Sequence, residues 1–144
     1  MSKMKDVKLL IAEDDEEMCE ELSEILRGEG YSVKTVNSGA EAEKLITDDS
    51  YDVVLLDLKL PGIKGYEVLN YIRENRLKVK VIILTGSPVT GSIEGLSSTG
   101  KKDNTAENNA YKLNTLKLAD AVIPKPFDVE RVIEILDELT QKIS

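Results

Sequence analysis

Apolar residues fall into five short runs along the chain, and between the runs they recur every three or four positions. The first run, Lys8-Leu9-Leu10-Ile11-Ala12, reads as a strand. From Glu16 to Gly28 the spacing of Met18, Leu22, Ile25 and Leu26 predicts a helix that buries these four residues and stops at Gly28 or Gly30. Val33 to Val36 predicts a second strand, and the polar Lys34 and Thr35 inside it suggest an edge position. Ser38-Gly39-Ala40-Glu41 has the form of a capping box and opens a helix that runs to about Asp48. Val53-Val54-Leu55-Leu56 carries no polar residue, as a central parallel strand covered on both faces requires.

After a turn at Pro61 and Gly62, a helix is expected from about Tyr66 to Asn75, then a buried strand from Val79 to Leu84. Residues 86–108 are irregular and rich in Gly, Ser, Thr, Lys and Asn. Tyr111, Leu113, Leu116 and Leu118 suggest a further helix. Ala121-Val122-Ile123 is the last strand, with Pro124 consistent with a sheet edge. Asp128 can cap a final helix carrying Val129, Val132, Ile133, Leu136, Leu139 and Ile143 on one face.

Strands that alternate with helices predict an α/β fold with a five-stranded parallel sheet. Right-handed crossovers make it doubly wound, with helices on both faces. With no internal repeat, second core or linker, residues 1–144 are expected to form a single domain. The stretch 86–108 then reads as an inserted loop, an extended connection between the fourth strand and the fourth helix. A loop of that length in a compact domain is uncommon.

Composition narrows the classes of function. The net charge of −8 argues against direct nucleic-acid binding, which needs a basic surface to neutralise phosphates. Histidine is absent, which removes imidazole acid–base chemistry and imidazole metal ligands. The single cysteine, Cys19, excludes an internal disulfide and reads as a small, partly buried residue beside Met18 and Leu22. The start MSKMKDVKLLIAEDD lacks the form of a signal peptide, and no apolar stretch approaches the ~20 residues of a membrane span. A cytoplasmic protein without a membrane partner is expected.

Chemistry gathers at the strand ends. The carboxyl ends of parallel strands share one edge of the sheet. Glu13-Asp14-Asp15 after the first strand, Asp57 after the third, Thr85 after the fourth and Lys125-Pro126 after the fifth therefore converge although they are far apart in the chain. Carboxylates from two strands offer hard oxygen ligands to Mg²⁺, and a carboxylate can itself accept a phosphoryl group. A hydroxyl and an ammonium can hold phosphoryl oxygens, and phosphoryl transfer depends mostly on such positioning. Taken singly, each residue has a plain structural role: acidic residues favour a helix N-terminus, and an Asp before a turn can cap it. Their joint occurrence at four strand ends points to a site. Gly95 to Lys101 spells the start of a phosphate-binding loop, but Lys102 stands where a Ser or Thr is needed, so the segment reads as a loop.

The segments LLIAEDDEE, VVLLDLKLPGIKGYE, VIILTG and VIPKPF resemble, in order and on the right elements, the motifs of the response-regulator receiver family of two-component signalling. The likeness runs from about Met4 to Ile143, apart from the irregular region. It implies a flavodoxin-like, CheY-like sheet of order 2-1-3-4-5. It further implies that Asp57 is phosphorylated by a sensor histidine kinase or a phosphotransfer protein in a Mg²⁺-dependent reaction that switches partner binding. Glu13 and Asp14 would be the acidic pair, with Asp14 and Asp57 on the metal and Lys59 adding its backbone carbonyl. Thr85 would bond the phosphoryl group and shift position, Lys125 would pair with Asp57 and the phosphoryl oxygens, and the Lys125–Pro126 peptide would be cis. Such a protein modifies and restores its own aspartate and is not an enzyme in the turnover sense.

The sequence departs from the family in three places. Thr85 and Lys125 are 40 positions apart, well beyond the usual spacing. Val122 stands where the family commonly carries a Tyr or Phe that moves with the Thr. Lys64-Gly65 replaces the common Asp-Gly, with Gly kept for the turn. A receiver-like interaction module that works without phosphorylation is the alternative reading. An aspartate-based phosphohydrolase is a third, but Lys59 occupies the position where its second aspartate would stand.

Overall fold

A computed structural model describes residues 7–60, 64–85, 117–125 and 127–141. The five strands are β1 (Lys8–Ala12), β2 (Ser32–Val36), β3 (Val53–Asp57), β4 (Lys80–Thr85) and β5 (Ala121–Pro124). They form one parallel sheet in the order β2-β1-β3-β4-β5. The described helices are α1 (Glu16–Gly28), α2 (Gly39–Asp48), α3 (Gly65–Glu74) and α4 (Val129–Gln141). The expected α/β class, strand order and edge position of β2 are all present. The inserted loop at 86–108, most of the helix expected around Tyr111 to Leu118, Pro126 and Ile143 lie outside the described residues.

Alternation along the strands splits the core into two layers. Leu10, Ala12, Val54, Leu56, Val81 and Ile83 face α2 and α3, where Ala42, Ile46, Val68, Leu69 and Ile72 meet them. Leu9, Ile11, Val53, Leu55, Ile82, Leu84 and Ile123 face α1 and α4 and meet Leu22, Leu26, Val132 and Leu136. The four apolar residues of β3 are buried on both sides, as its all-apolar sequence requires. Each large side chain so buried contributes roughly 1.5–3 kcal/mol.

Two helix faces are rotated from the expectation. In α1 the core side is Cys19, Leu22, Ser23 and Leu26, while Ile25 is 42% exposed. In α4, Ile135 is buried and Ile133 only half-buried. Both helices pack on the sheet through a stripe at i, i+3, i+4 and i+7, which tolerates a polar Ser23 where its hydroxyl can donate to the Glu20 carbonyl at 3.1 Å.

The helix ends follow local chemistry. Ser38 caps α2 by accepting the N–H of Glu41 at 3.3 Å. Gly30, not Gly28, ends α1: it takes φ 103°, and Gly30 and Tyr31 donate back to the carbonyls of Arg27 and Leu26. Arg76 does the same after α3 at φ 57°, a conformation that costs a non-glycine residue about 1–2 kcal/mol.

Candidate functional site at the carboxyl edge of the sheet

The register brings the chemical groups together. Ala12 pairs with Leu56, so Glu13 follows beside Asp57. Asp57 pairs with Leu84, which brings Thr85 one step beyond it, and Thr85 pairs with Pro124, which leads into Lys125. The backbone is tied across the same edge: Glu13 N–H donates to the Val36 carbonyl at 3.1 Å, Leu58 N–H to Leu84 at 3.3 Å and Lys125 N–H to Thr85 at 2.7 Å.

The acidic run after β1 divides its labour. Asp15 caps α1 by accepting the Met18 N–H at 3.2 Å. Asp14 is exposed. Glu13 is 2% exposed and turns into the site, where its Oε2 also accepts the Asp15 N–H at 3.2 Å. Burial pushes the Glu13 carboxyl above its usual range; the Lys125 ammonium and the Asp15 N–H pull it back, and the Asp57 charge adds to the rise.

Asp57 and Thr85 are buried as well, at 5% and 3% exposure. Asp57 Oδ1 accepts the backbone N–H of Lys59 at 3.2 Å. Lys125 Nζ lies 3.7 Å from the same oxygen, an ion pair rather than a hydrogen bond. Its shorter contacts are to Glu13, at 3.0 Å to Oε1 and 3.2 Å to Oε2. That pairing was not foreseen, because the two residues are 112 positions apart and share no local pattern.

Gly65 also serves the site, for a reason other than the turn. A Cβ there would run into the Asp57 carbonyl oxygen and sit 2.7 Å from the Leu58 Cα. The N-terminus of α3 is therefore packed directly on the backbone that carries Asp57, and Gly65 N–H donates to the Leu58 carbonyl at 3.1 Å. Val122, at the place of the family's aromatic, is 39% exposed on β5.

The donor set suits a small hard cation. Among the described residues no group of three or more acidic or thiol side chains is placed to hold a metal ion by itself. Mg²⁺ does not ask for one, since it keeps several waters and takes one or two carboxylates. Among the described residues the carboxylates of Glu13 and Asp57 share the ammonium of Lys125, with the exposed Asp14 next in the chain, and a divalent ion would offset the remaining negative charge.

Residues 9–104, more than half of the chain, match the response regulator receiver domain family, and the chain belongs to that family. The transcriptional regulatory protein TcrA of Mycobacterium tuberculosis is 31% identical over 137 residues, which is 94% of this chain and 47% of that protein. The response regulator protein TrrA of Thermotoga maritima, solved in complex with Mg²⁺ and BeF, is 29% identical with a TM-score of 0.71, over 92% of this chain and 98% of that one. A DNA-binding response regulator of the LuxR family from Staphylococcus aureus is 27% identical with a TM-score of 0.69, over 92% and 98%. The chain spans less than half the length of the curated relatives it matches. Two of these relatives are named as transcriptional or DNA-binding regulators, so the expectation of no nucleic-acid partner loses its support; the acidic charge speaks only for these 144 residues. Among the described residues no helix is long and apolar enough to cross a membrane.

Proposed function

We propose that this chain is a phosphoryl-accepting receiver of a two-component phosphorelay, with Asp57 as acceptor and a sensor histidine kinase or phosphotransfer protein as donor. The observation that carries the reading is the placement of Asp57. It is buried at the end of β3, with Oδ1 engaged by the Lys59 N–H and the Lys125 ammonium and with Thr85 on the neighbouring strand. Both of these contacts are made by Oδ1.

In the proposed step a carboxylate oxygen of Asp57 attacks phosphorus and the P–N bond of the donor phosphohistidine breaks. The electron pair returns to the imidazole nitrogen, which takes up a proton. Water later cleaves the aspartyl-phosphate and restores the carboxylate, so the chemistry is directed at the protein itself. The Lys125 ammonium and the Thr85 hydroxyl hold phosphoryl oxygens in place. Asp14, Asp57 and the Lys59 carbonyl would hold Mg²⁺, beside Glu13. When bound, the ion offsets charge building on the transferring phosphoryl group.

Residues 1–144 are read as one cytoplasmic receiver unit, with 86–108 as an insertion in it. Acetyl phosphate tests the function without a cognate kinase. Intact-protein mass spectrometry is expected to show one added phosphoryl group in the presence of Mg²⁺ and none in the presence of a chelator. An unchanged mass with Mg²⁺ present overturns the proposal in favour of a phosphorylation-independent module.

A further inference from the structure

We propose that the outer edge of β2 takes an extended basic peptide as an added strand, with a lysine or arginine side chain of the peptide in the glutamate-lined cavity where β2 ends. The surface lies across β1 from Asp57.

A strand at the edge of a sheet leaves the N–H and C=O of every second residue pointing away from its neighbour. In β2, Ser32 N–H donates to the Val7 carbonyl and the Val36 carbonyl accepts from Glu13, both at 3.1 Å, so Ser32, Lys34 and Val36 face β1. Val33 and Thr35 therefore point outward. Arg27 Nη2 donates to the Val33 carbonyl at 3.0 Å and closes that group. Among the described residues the N–H of Val33 and both backbone groups of Thr35 have no hydrogen-bond partner. The edge is thus closed at one carbonyl and open toward its carboxyl end, where Thr35 lies.

A cavity of about 380 Å³ opens at that same end, lined by Thr35 and by Glu13, Glu16, Glu20 and Glu41. Glu13 is matched by Lys125. Glu16, Glu20 and Glu41 are exposed, and among the described residues no lysine or arginine lines the cavity. Glu16 and Glu20 stand one turn apart on α1, a spacing at which like charges repel. Strand edge and charge together select the occupant. A strand that adds to a sheet edge gains affinity from main-chain hydrogen bonds and specificity from alternate side chains. Here those side chains meet carboxylates, so a basic segment fits. A second copy of this chain, with its net charge of −8, would bring acid against acid.

Titration of the full chain with a short peptide of alternating Lys and Thr, followed by two-dimensional NMR of the backbone amides, tests this. Saturable binding is expected, with hydrogen exchange of the Thr35 amide slowed about tenfold or more. The same peptide with Glu in place of Lys is expected to leave the spectrum unchanged. N-methylation of the peptide backbone removes its strand-pairing donors and is expected to weaken binding about tenfold. The triple variant Glu16→Gln, Glu20→Gln, Glu41→Gln is expected to weaken it about tenfold as well, since each exposed charge pair contributes modestly. Its amide spectrum shows whether it is folded; if it is not, the N-methylated peptide on the wild type decides. No saturable binding, equal binding of the Glu peptide, or undiminished binding to the folded triple variant overturns the proposal. Undiminished binding of the N-methylated peptide overturns it in favour of charge attraction without strand pairing. A wild type already dimeric by sedimentation, with the Thr35 amide protected before any peptide is added, overturns it in favour of a second copy.

Discussion

At the amino edge of the sheet, Asp52 Oδ2 accepts the N–H of Lys8 at 2.8 Å, and Asp120 Oδ2 accepts the N–H of Val81 at 2.8 Å and the Arg73 guanidinium at 2.9 Å. At the carboxyl edge, Glu13 and Asp57 are more deeply buried, yet among the described residues they share one ammonium and each takes a single backbone N–H. The same chemical group thus does two different jobs at the two ends of the strands. At the amino edge it closes the first rungs of β1 and β4, where neighbouring strands begin, and its charge is met by backbone donors and, at Asp120, by the Arg73 guanidinium as well. At the carboxyl edge, where β1, β3 and β4 all stop, charge accumulates faster than donors do. Reactivity follows from that imbalance and not from the presence of aspartate as such.

The largest effect expected from this contrast is all or none. Asp57→Asn should abolish phosphoryl acceptance from acetyl phosphate, whereas Asp52→Asn, only five positions earlier, should leave it intact. Mass spectrometry of the two variants decides it, and an added phosphoryl group on the Asp57 variant would erase the distinction between the edges.

A smaller effect is expected from Asp120→Ala. It strips the Val81 N–H and Arg73 of their shared acceptor, although Arg73 keeps the Leu118 carbonyl at 2.8 and 3.0 Å. The Asp120 side chain is 27% exposed, so water replaces part of the loss. A destabilisation of about 1–2 kcal/mol in urea unfolding is expected, with phosphoryl acceptance retained. Lost acceptance in a folded variant would show that the amino edge takes part in the chemistry.

The smallest effect sharpens the electrostatics. Cys19 lies under the acidic edge and donates from Sγ to the Glu13 carbonyl at 3.5 Å. Burial, with the charges of Glu13 and Asp15 behind it, pushes its thiol up to about 11. At pH 8 only about one thiol in a thousand would be ionised, so dithionitrobenzoate should react slowly with the folded chain and quickly in urea. Fast labelling of the folded chain would show that the edge is neither closed nor negative around Cys19.

Much of the molecule was legible before any coordinates. Alternation and all-apolar runs are local, so the strands and the carboxylates at their ends could be read directly, as could the Ser38 cap. The family motifs supplied the strand order. Other features needed the folded chain. Ile25 and Cys19 both fit a helical period, and only the packing of α1 on the sheet exposes the first and buries the second. Gly65 looked like a turn residue and proved to be a contact residue, because its neighbour is the Asp57 carbonyl and not its own backbone strain. The partner of Lys125 lay furthest from reach. Which of two carboxylates an ammonium takes depends on a few tenths of an ångström between strands β1, β3 and β5, a distance set by sheet register and helix packing together and written in no local stretch of the chain.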